Sequence, residues 1–145
     1  MKGFGARVVF FHKQATSARL RFLCFAHGVF GFSPLDGDMA WLPDASPHGD
    51  GAVSPVDWHP AALARMSAEW LGLGVDALRV ETEFHGLLAT TAGPLRLWAM
   101  GLTMIDPPFA EVERVGGRFI AITEARDLPP VEREALRLVY EHVLG

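Results

Sequence analysis

The run from Leu95 to Ile105, LRLWAMGLTMI, constrains the fold of this chain more than any other stretch. Successive side chains of a strand point to opposite faces of a sheet, and here both sets are apolar except for Arg96 and Thr103. A strand of this kind is typical of the centre of a sheet that is covered on both sides, or of a surface that a partner molecule covers. The sequence leaves these two possibilities open.

Four other stretches have the pattern of strands. Ala6–His12 and Ala18–His27 are rich in β-branched and aromatic residues, and the short polar connection between them is typical of a hairpin. Leu78–Thr90 alternates between the two faces, which predicts one continuous strand with its even-numbered residues up to Phe84 on a shared face. A last strand is predicted over Arg118–Ala125, after two glycines.

Two helices are predicted, and each begins at a proline, which is favoured in the first turn because its missing N–H would have no helical partner there. The first begins at Pro60 and is expected to end at Gly72 and Gly74; its apolar stripe is Leu63, Met66, Trp70 and Leu73. We expect Trp70 to be buried and to anchor this helix to the sheet. The second helix runs from Pro130 to about Leu144.

The segment between these elements loses its periodicity because prolines and glycines interrupt it, so we predict a long irregular loop at about residues 28–59. The element order is therefore β, β, loop, α, β, β, β, α. This order predicts a single α+β domain over residues 1–145, with a mainly antiparallel sheet of about five strands and two packed helices.

Composition and charge exclude several classes of protein. The chain has 145 residues, which is enough to bury a core, and its single cysteine, Cys24, cannot form an intramolecular disulfide. A net charge of −4 argues against nucleic-acid binding, and no apolar run approaches the roughly 20 residues of a membrane span. We therefore expect a cytoplasmic protein that binds neither a membrane nor a nucleic acid.

A glycine- and proline-rich stretch, SPHGDGAVSPVDWHP, contains four candidate metal ligands, His48, Asp50, Asp57 and His59. Zinc, manganese and iron accept such nitrogen and oxygen ligands, but here no rigid element holds the ligands at a fixed spacing. Asp57 or His59 has a simpler use as the cap of the Pro60 helix. We therefore predict that these residues bind no metal and that the protein needs no cofactor.

If the protein is an enzyme, its candidate catalytic residues are carboxylates and one histidine. Glu81, Glu83 and His85 share one face of the predicted strand, where neighbouring carboxylates can raise one another's pKa, and Glu69 lies on the first helix. The strand residues also fit a solvated face balanced by nearby arginines. No serine lies in a G-x-S-x-G motif, and no phosphate-binding loop, dinucleotide-binding motif or C-x-x-C pair is present.

The predicted hairpin is basic, because five cationic residues precede Asp36, the first acidic residue of the chain. Of these, Arg7, Arg19 and Arg21 are the candidates to bind an anion. The same arginines also fit the solvated outer face of a hairpin. An anionic small molecule or a protein is therefore the expected partner, if this surface binds one.

These observations favour a non-catalytic module that binds a ligand or a protein, or has a regulatory role, and that acts as a homodimer through its surplus apolar surface. The alternative is a small hydrolase or thioesterase of hotdog-like architecture, which also pairs a helix with an antiparallel sheet and uses carboxylates or histidines. An enzyme requires a pocket with a carboxylate or histidine in its wall. A binding module requires an apolar dimer face or a pocket without carboxylates.

Overall fold

The computed structural model describes residues 6–17, 19–31, 59–90 and 93–145. The strands in these residues are β1 (Ala6–Lys13), β2 (Leu20–Cys24), β3 (Leu78–Val80), β4 (Gly86–Thr90), β5 (Gly93–Leu102) and β6 (Arg118–Ile120). The α-helices are α1 (Pro60–Leu71), α2 (Phe109–Arg114) and α3 (Pro130–Leu144). A 3-10 helix spans Ile122–Glu124.

The strands form one mixed sheet in the order β3-β5-β1-β2-β6, and β4 pairs with β5 on the same edge as β3. β1 and β5 run parallel, with Phe11 opposite Gly101, and the other pairs are antiparallel. The predicted α+β class with a mainly antiparallel sheet is confirmed. The N-terminal hairpin is confirmed as well, because Phe11 of β1 also lies opposite Phe22 of β2.

Helices cover both faces of this sheet. We call the side against which α3 packs the α3 face, and β5 contributes Leu97 and Ala99 to its core. We call the opposite side, covered by α1 and α2, the α1 face, and β5 contributes Trp98, Met100 and Leu102 to its core. The apolar run of β5 is therefore covered on both sides by the chain itself. This coverage weakens the argument for a homodimer that the run provided. The homodimer stays a prediction, which sedimentation equilibrium can test.

The predicted continuous strand Leu78–Thr90 is wrong in its middle, because the chain leaves the sheet after β3 and returns at β4. Val80 pairs with Met100, and Gly86 pairs with Leu97. The segment between Val80 and Gly86 therefore spans six positions (80 to 86), whereas the facing part of β5 spans three (100 to 97). The additional residues form a turn in which the Phe84 N–H donates to the Glu81 carbonyl at 3.0 Å. Phe84 is buried on the α3 face and Leu78 on the α1 face, so the predicted shared face does not exist.

Two further expectations change near the C-terminus. The last strand ends at Ile120 instead of Ala125, because the backbone coils into the 3-10 helix at Ile122. The structure also adds a third helix, α2, to the two that the sequence predicts. Its six residues bury only Val112, which is too little for a helical periodicity to be visible in the sequence.

Helix α1 begins and ends where the sequence predicts. His59 caps it, because its Nδ1 atom accepts the Ala61 N–H at 3.2 Å, and Gly72 ends it in the left-handed conformation with a φ of 72°. Trp70 is half-buried instead of buried, and its ring lies 6.5 Å from that of Phe10 between centroids. The fully buried side of the helix is displaced from the predicted stripe and consists of Leu63, Ser67, Ala68 and Leu71.

The predicted loop at residues 28–59 does not begin at Gly28. Phe25 and Gly28 exchange backbone hydrogen bonds of 2.7 and 3.1 Å, and the Gly31 N–H donates to the Val8 carbonyl at 2.9 Å, so residues 28–31 are tied to the sheet. Residues 32–58 lie outside the described residues. No helix in the described part of the chain is long and apolar enough to cross a membrane.

Candidate functional site

A cleft of about 330 Å³ lies on the α3 face, where the carboxyl ends of the parallel strands β1 and β5 approach β3 and the last turn of α3. Four segments that are distant in sequence therefore build it. Its wall combines charged and apolar residues and consists of Phe11, Lys13, Arg79, Glu81, Gly101, Leu102, Thr103, His142 and Val143. We call it the α3 cleft.

The floor of the α3 cleft depends on a glycine. A Cβ atom on Gly101 would lie 2.9 Å from the ring of Phe11, so that ring occupies the space above Gly101 that a side chain would need. Phe11 lies opposite Gly101 in the parallel pair of β1 and β5. The absence of a side chain on Gly101 thus allows an aromatic floor in the cleft.

Two cations stand at the wall of the cleft, Lys13 at the end of β1 and Arg79 in β3. Both side chains are exposed, and neither forms an ion pair with a carboxylate of the described residues. Because neither cation is engaged in an ion pair among the described residues, both can bind an anionic group. Arginine binds carboxylate and phosphate groups through two parallel hydrogen bonds, and lysine acts as a point charge.

A histidine and a carboxylate meet on the same wall. The Nε2 atom of His142 lies 3.4 Å from the Oε1 atom of Glu81, and both side chains are largely shielded from solvent, with 27% and 29% exposure. The ring of Phe84 contacts the edge of the His142 ring, with 5.3 Å between centroids, and helps to hold it in place. His142 lies in the last turn of α3, where the helix dipole favours a positive charge.

Thr103 completes the polar rim and is itself held by the chain. Its hydroxyl donates to the carbonyl of Asp76 at 2.7 Å, and its N–H donates to the carbonyl of Ala77 at 2.9 Å. Its hydroxyl oxygen can therefore accept a hydrogen bond from a molecule in the cleft, while its proton stays engaged with the protein.

The structure brings only one of the four candidate catalytic residues into this cleft. Glu81 lies in the wall, whereas Glu83 and His85 are exposed in the turn between β3 and β4. Glu69 is exposed on α1, which packs against the opposite face of the sheet. The four residues therefore do not form one site.

The three candidate anion-binding arginines are separated as well. Arg7 is 8% exposed on β1, where alternation places it on the α3 face together with Val9. Arg21 lies opposite His12, on the α1 face together with Leu23, and Arg19 is exposed before β2. The hairpin residue that reaches the cleft is Lys13, which belongs to the basic surface of the predicted hairpin but not to the three arginines selected as its candidates.

Sequence reasoning missed Arg79, Thr103 and His142 as residues of a site. Each is an ordinary polar residue in its own segment, and only the pairing of β3, β5 and β1 brings them together. The one available signal was Thr103 itself, because it interrupts an otherwise apolar strand.

Of the four candidate metal ligands, His59 is the cap of α1, and His48, Asp50 and Asp57 lie outside the described residues. Within residues 6–17, 19–31, 59–90 and 93–145, no three residues among His, Cys, Asp and Glu are close enough to hold a metal ion. The expectation that the glycine-rich stretch binds no metal stays a prediction.

Two buried ionisable groups lie elsewhere on the α3 face. Burial raises the pKa of the Cys24 thiol, which disfavours the thiolate that a nucleophile requires. Glu132 is 3% exposed and its Oε1 atom accepts the Val29 N–H at 2.9 Å. Burial raises the pKa of this carboxyl, and the Val29 hydrogen bond and the nearby His27 partly offset the rise. Both groups are structural, because neither lines the α3 cleft.

Comparison with known proteins does not extend this assignment. The sequence matches no protein-family model, and no curated protein is significantly similar to it. The chemistry of the α3 cleft is therefore the basis on which a function can be argued.

Proposed function

We propose that this protein is a ligand-binding module whose α3 cleft takes a small anionic molecule. The observation that carries the proposal is the convergence of Lys13 and Arg79, two cations without a carboxylate partner among the described residues, on one cleft. Cations that are not engaged in an ion pair attract an anion to the cavity that they line.

The size and floor of the cleft restrict the ligand. A volume of about 330 Å³ lies at the lower end of the range for small-molecule sites. Phe11 and Val143 offer an apolar surface beside the charged wall. This combination suits a carboxylate or a phosphate monoester that carries a short apolar body.

Glu81 restricts the ligand further. Its carboxylate repels a second negative charge on the side of His142, and its contact with His142 keeps the imidazole directed across the cleft. The ligand is therefore expected to present its anionic group to Lys13 and Arg79, and a neutral or hydrogen-bonding group to the Glu81–His142 side.

Thermal unfolding in the presence of short-chain carboxylates tests this proposal. A ligand at about 100 times its dissociation constant stabilises the folded state by about 2.7 kcal/mol, which is a readily measured shift. We expect Lys13→Gln and Arg79→Gln to abolish the shift, and Arg65→Gln, which alters an exposed arginine on α1, to preserve it. A panel in which no compound binds, or binding that both cleft variants retain, would contradict the proposal.

A second candidate function has its own observation, the contact of Glu81 with His142 beside the two cations. In this hypothesis Glu81 orients His142, which acts as a general base, and Lys13 or Arg79 stabilises an oxyanion. The residues of the cleft favour this alternative, but the architecture does not favour the hotdog-like fold expected for it. The sheet contains a parallel pair and carries helices on both faces.

Ester hydrolysis separates the two candidates. A hydrolase should cleave activated nitrophenyl esters, and His142→Asn should lower the rate by a factor of about 10² to 10⁴ while ligand binding persists. If the unaltered protein hydrolyses these esters no faster than the buffer alone, the binding module remains the proposal.

A further inference from the structure

We propose that the chain has a second anion site, which binds a phosphate monoester group between α3 and the turn that follows the 3-10 helix. A cleft of about 360 Å³ lies there, and its wall consists of Ile122, Thr123, Ala125, Arg126, Arg133 and Arg137. We call it the arginine cleft. It shares no residue with the α3 cleft.

Arg137 is fixed in this cleft by two carboxylates of its own helix. Its Nε and Nη2 atoms donate to the two oxygens of Glu134, the first at 3.0 Å, and its Nη1 atom donates to Glu141 at 2.6 Å. The hydrogen bonds from Arg137 lower the pKa of Glu134, so the pair stays ionised at neutral pH. These bonds use three of the five N–H groups of the guanidinium and leave two for a ligand.

Arg126 and Arg133 differ from Arg137 in having no such partner. Both are exposed, and neither has a hydrogen bond or an ion pair within the described residues. Arg133 and Arg137 are also four positions apart on one helix, an arrangement in which like charges destabilise the helix. Two of the three arginines that line the cleft are therefore available to an anion bound there.

The nearby carboxylates do not neutralise these two arginines. Glu124 uses its Oε1 atom to accept the Ala121 N–H at 2.8 Å, and Asp127 is exposed and forms no ion pair within the described residues. Two unpaired guanidinium groups match the charge of about −1.5 to −2 that a phosphate monoester carries near pH 7. A single carboxylate carries only half of that charge.

The apolar part of the wall selects among phosphates. Ala125 is buried and Ile122 is partly buried against the core of the α3 face, so both present apolar atoms beside the guanidinium groups. A phosphate attached to a ring or a short apolar chain can contact both parts of the wall, whereas inorganic phosphate contacts only the arginines. The structure therefore favours a phosphate ester over the free ion.

Titration of the full chain, with its amide chemical shifts as the signal, tests the proposal. The three probes are phenyl phosphate, inorganic phosphate and benzoate. We expect a set of shifts at residues 121–127 and 130–138 that is separate from any shifts at the α3 cleft. In this set, phenyl phosphate should bind more tightly than either other probe. Arg126→Gln and Arg133→Gln should each weaken binding by about tenfold, which corresponds to the loss of a charge-assisted hydrogen bond. Arg133→Lys should retain part of the affinity because it keeps the charge.

Three control variants make the outcome specific. Arg65→Gln removes an exposed arginine elsewhere and should leave the affinity of the arginine cleft for phenyl phosphate unchanged. Lys13→Gln and Arg79→Gln should also leave this affinity unchanged, because they alter only the α3 cleft. A tyrosine-phosphorylated peptide, compared with phenyl phosphate, distinguishes a protein partner, which binds more tightly, from a free small molecule. The proposal is overturned if phenyl phosphate at about 20 mM shifts no amide of residues 121–127 and 130–138, or if both arginine variants keep the unaltered affinity measured at these residues.

Discussion

Glu132 on the α3 face and Ser67 on the α1 face are both buried polar residues, but their surroundings differ. On the α3 face, the Glu132 carboxylate is 3% exposed and accepts the Val29 N–H. On the α1 face, three buried atoms, Ser67 Oγ, His12 Nδ1 and Trp98 Nε1, have no hydrogen-bond partner within the described residues. A buried polar atom without a partner costs free energy, whereas a bonded one fixes the geometry of its neighbours. The Glu132 carboxylate thus connects α3 to the Val29 backbone, whereas the buried Ser67 hydroxyl on the α1 face bonds to no group among the described residues.

The largest effect is expected from adding a methyl group at Gly28. This residue has a φ of 127°, which side-chain-bearing residues rarely adopt, and a Cβ atom there would lie 2.2 Å from Glu132 Oε1. Gly28→Ala therefore strains the backbone and displaces the carboxylate from Val29, which should lower the free energy of unfolding by about 2–4 kcal/mol. Chemical denaturation measures this change.

Gly74→Ala is the matched control, because nothing lies within 4 Å of a Cβ atom at Gly74 and its φ is not positive. It should leave the stability nearly unchanged. Equal stability of the two variants would show that Glu132 and Gly28 do not constrain each other, and would remove this difference between the faces.

A second prediction separates the hydrogen bond of Glu132 from its charge. Glu132→Ala leaves the buried Val29 N–H without an acceptor and should cost about 1–3 kcal/mol, whereas Glu132→Gln keeps an acceptor oxygen and avoids burying a charge. Because burial raises the pKa of Glu132, the folded state holds its proton more tightly than the unfolded chain does. The stability that this group contributes is complete below about pH 4.3 and declines as the pH rises through the folded-state value.

Denaturation midpoints across pH 4 to 8 test this sign. The free energy of unfolding of the unaltered protein, relative to that of Glu132→Gln, should be highest at the acidic end of this range. A difference that grows in favour of the unaltered protein towards neutral pH would mean that the carboxylate is stabilised in its charged form.

The smallest effect is expected on the α1 face. Ser67 is fully buried in α1 and its hydroxyl has no hydrogen-bond partner within the described residues. Ser67→Ala removes this unpaired group and raises the helix propensity, so it should stabilise the protein by about 0.5–1 kcal/mol. A loss of stability on this substitution would mean that the hydroxyl has a partner and that the two faces are alike.

Local features of the fold could be predicted from the sequence. The hairpin of β1 and β2 follows from alternation in a single short region, and α1 follows from His59, Pro60 and Gly72 at its two ends. The two-sided apolar pattern of β5 also indicated a central strand. Each of these depends on residues that are close together in the chain, where local propensity and periodicity act directly.

The remaining features depend on pairing between distant segments. The turn between β3 and β4 exists because Phe84 packs on the α3 face, and a Cβ atom on Gly86 would lie 2.9 Å from its ring. The alternation of residues over Leu78–Thr90 does not indicate this turn. The α3 cleft has the same origin, because neither Lys13 nor His142 is unusual until β1 and α3 meet.

The parallel pairing of β1 with β5 also determines when the protein can fold. Ala6 of β1 lies opposite Arg96 of β5, so β1 can pair with β5 only after that segment is synthesised, 90 residues later (96 minus 6). Closing so long a loop has an entropic cost that must be met before the contact stabilises anything, and such long-range pairing slows folding. Until then Val8, Val9 and Phe10, all fully buried in the folded protein, have no completed core to enter. The emerging N-terminal hairpin is therefore the segment of the nascent chain on which a chaperone would be expected to act.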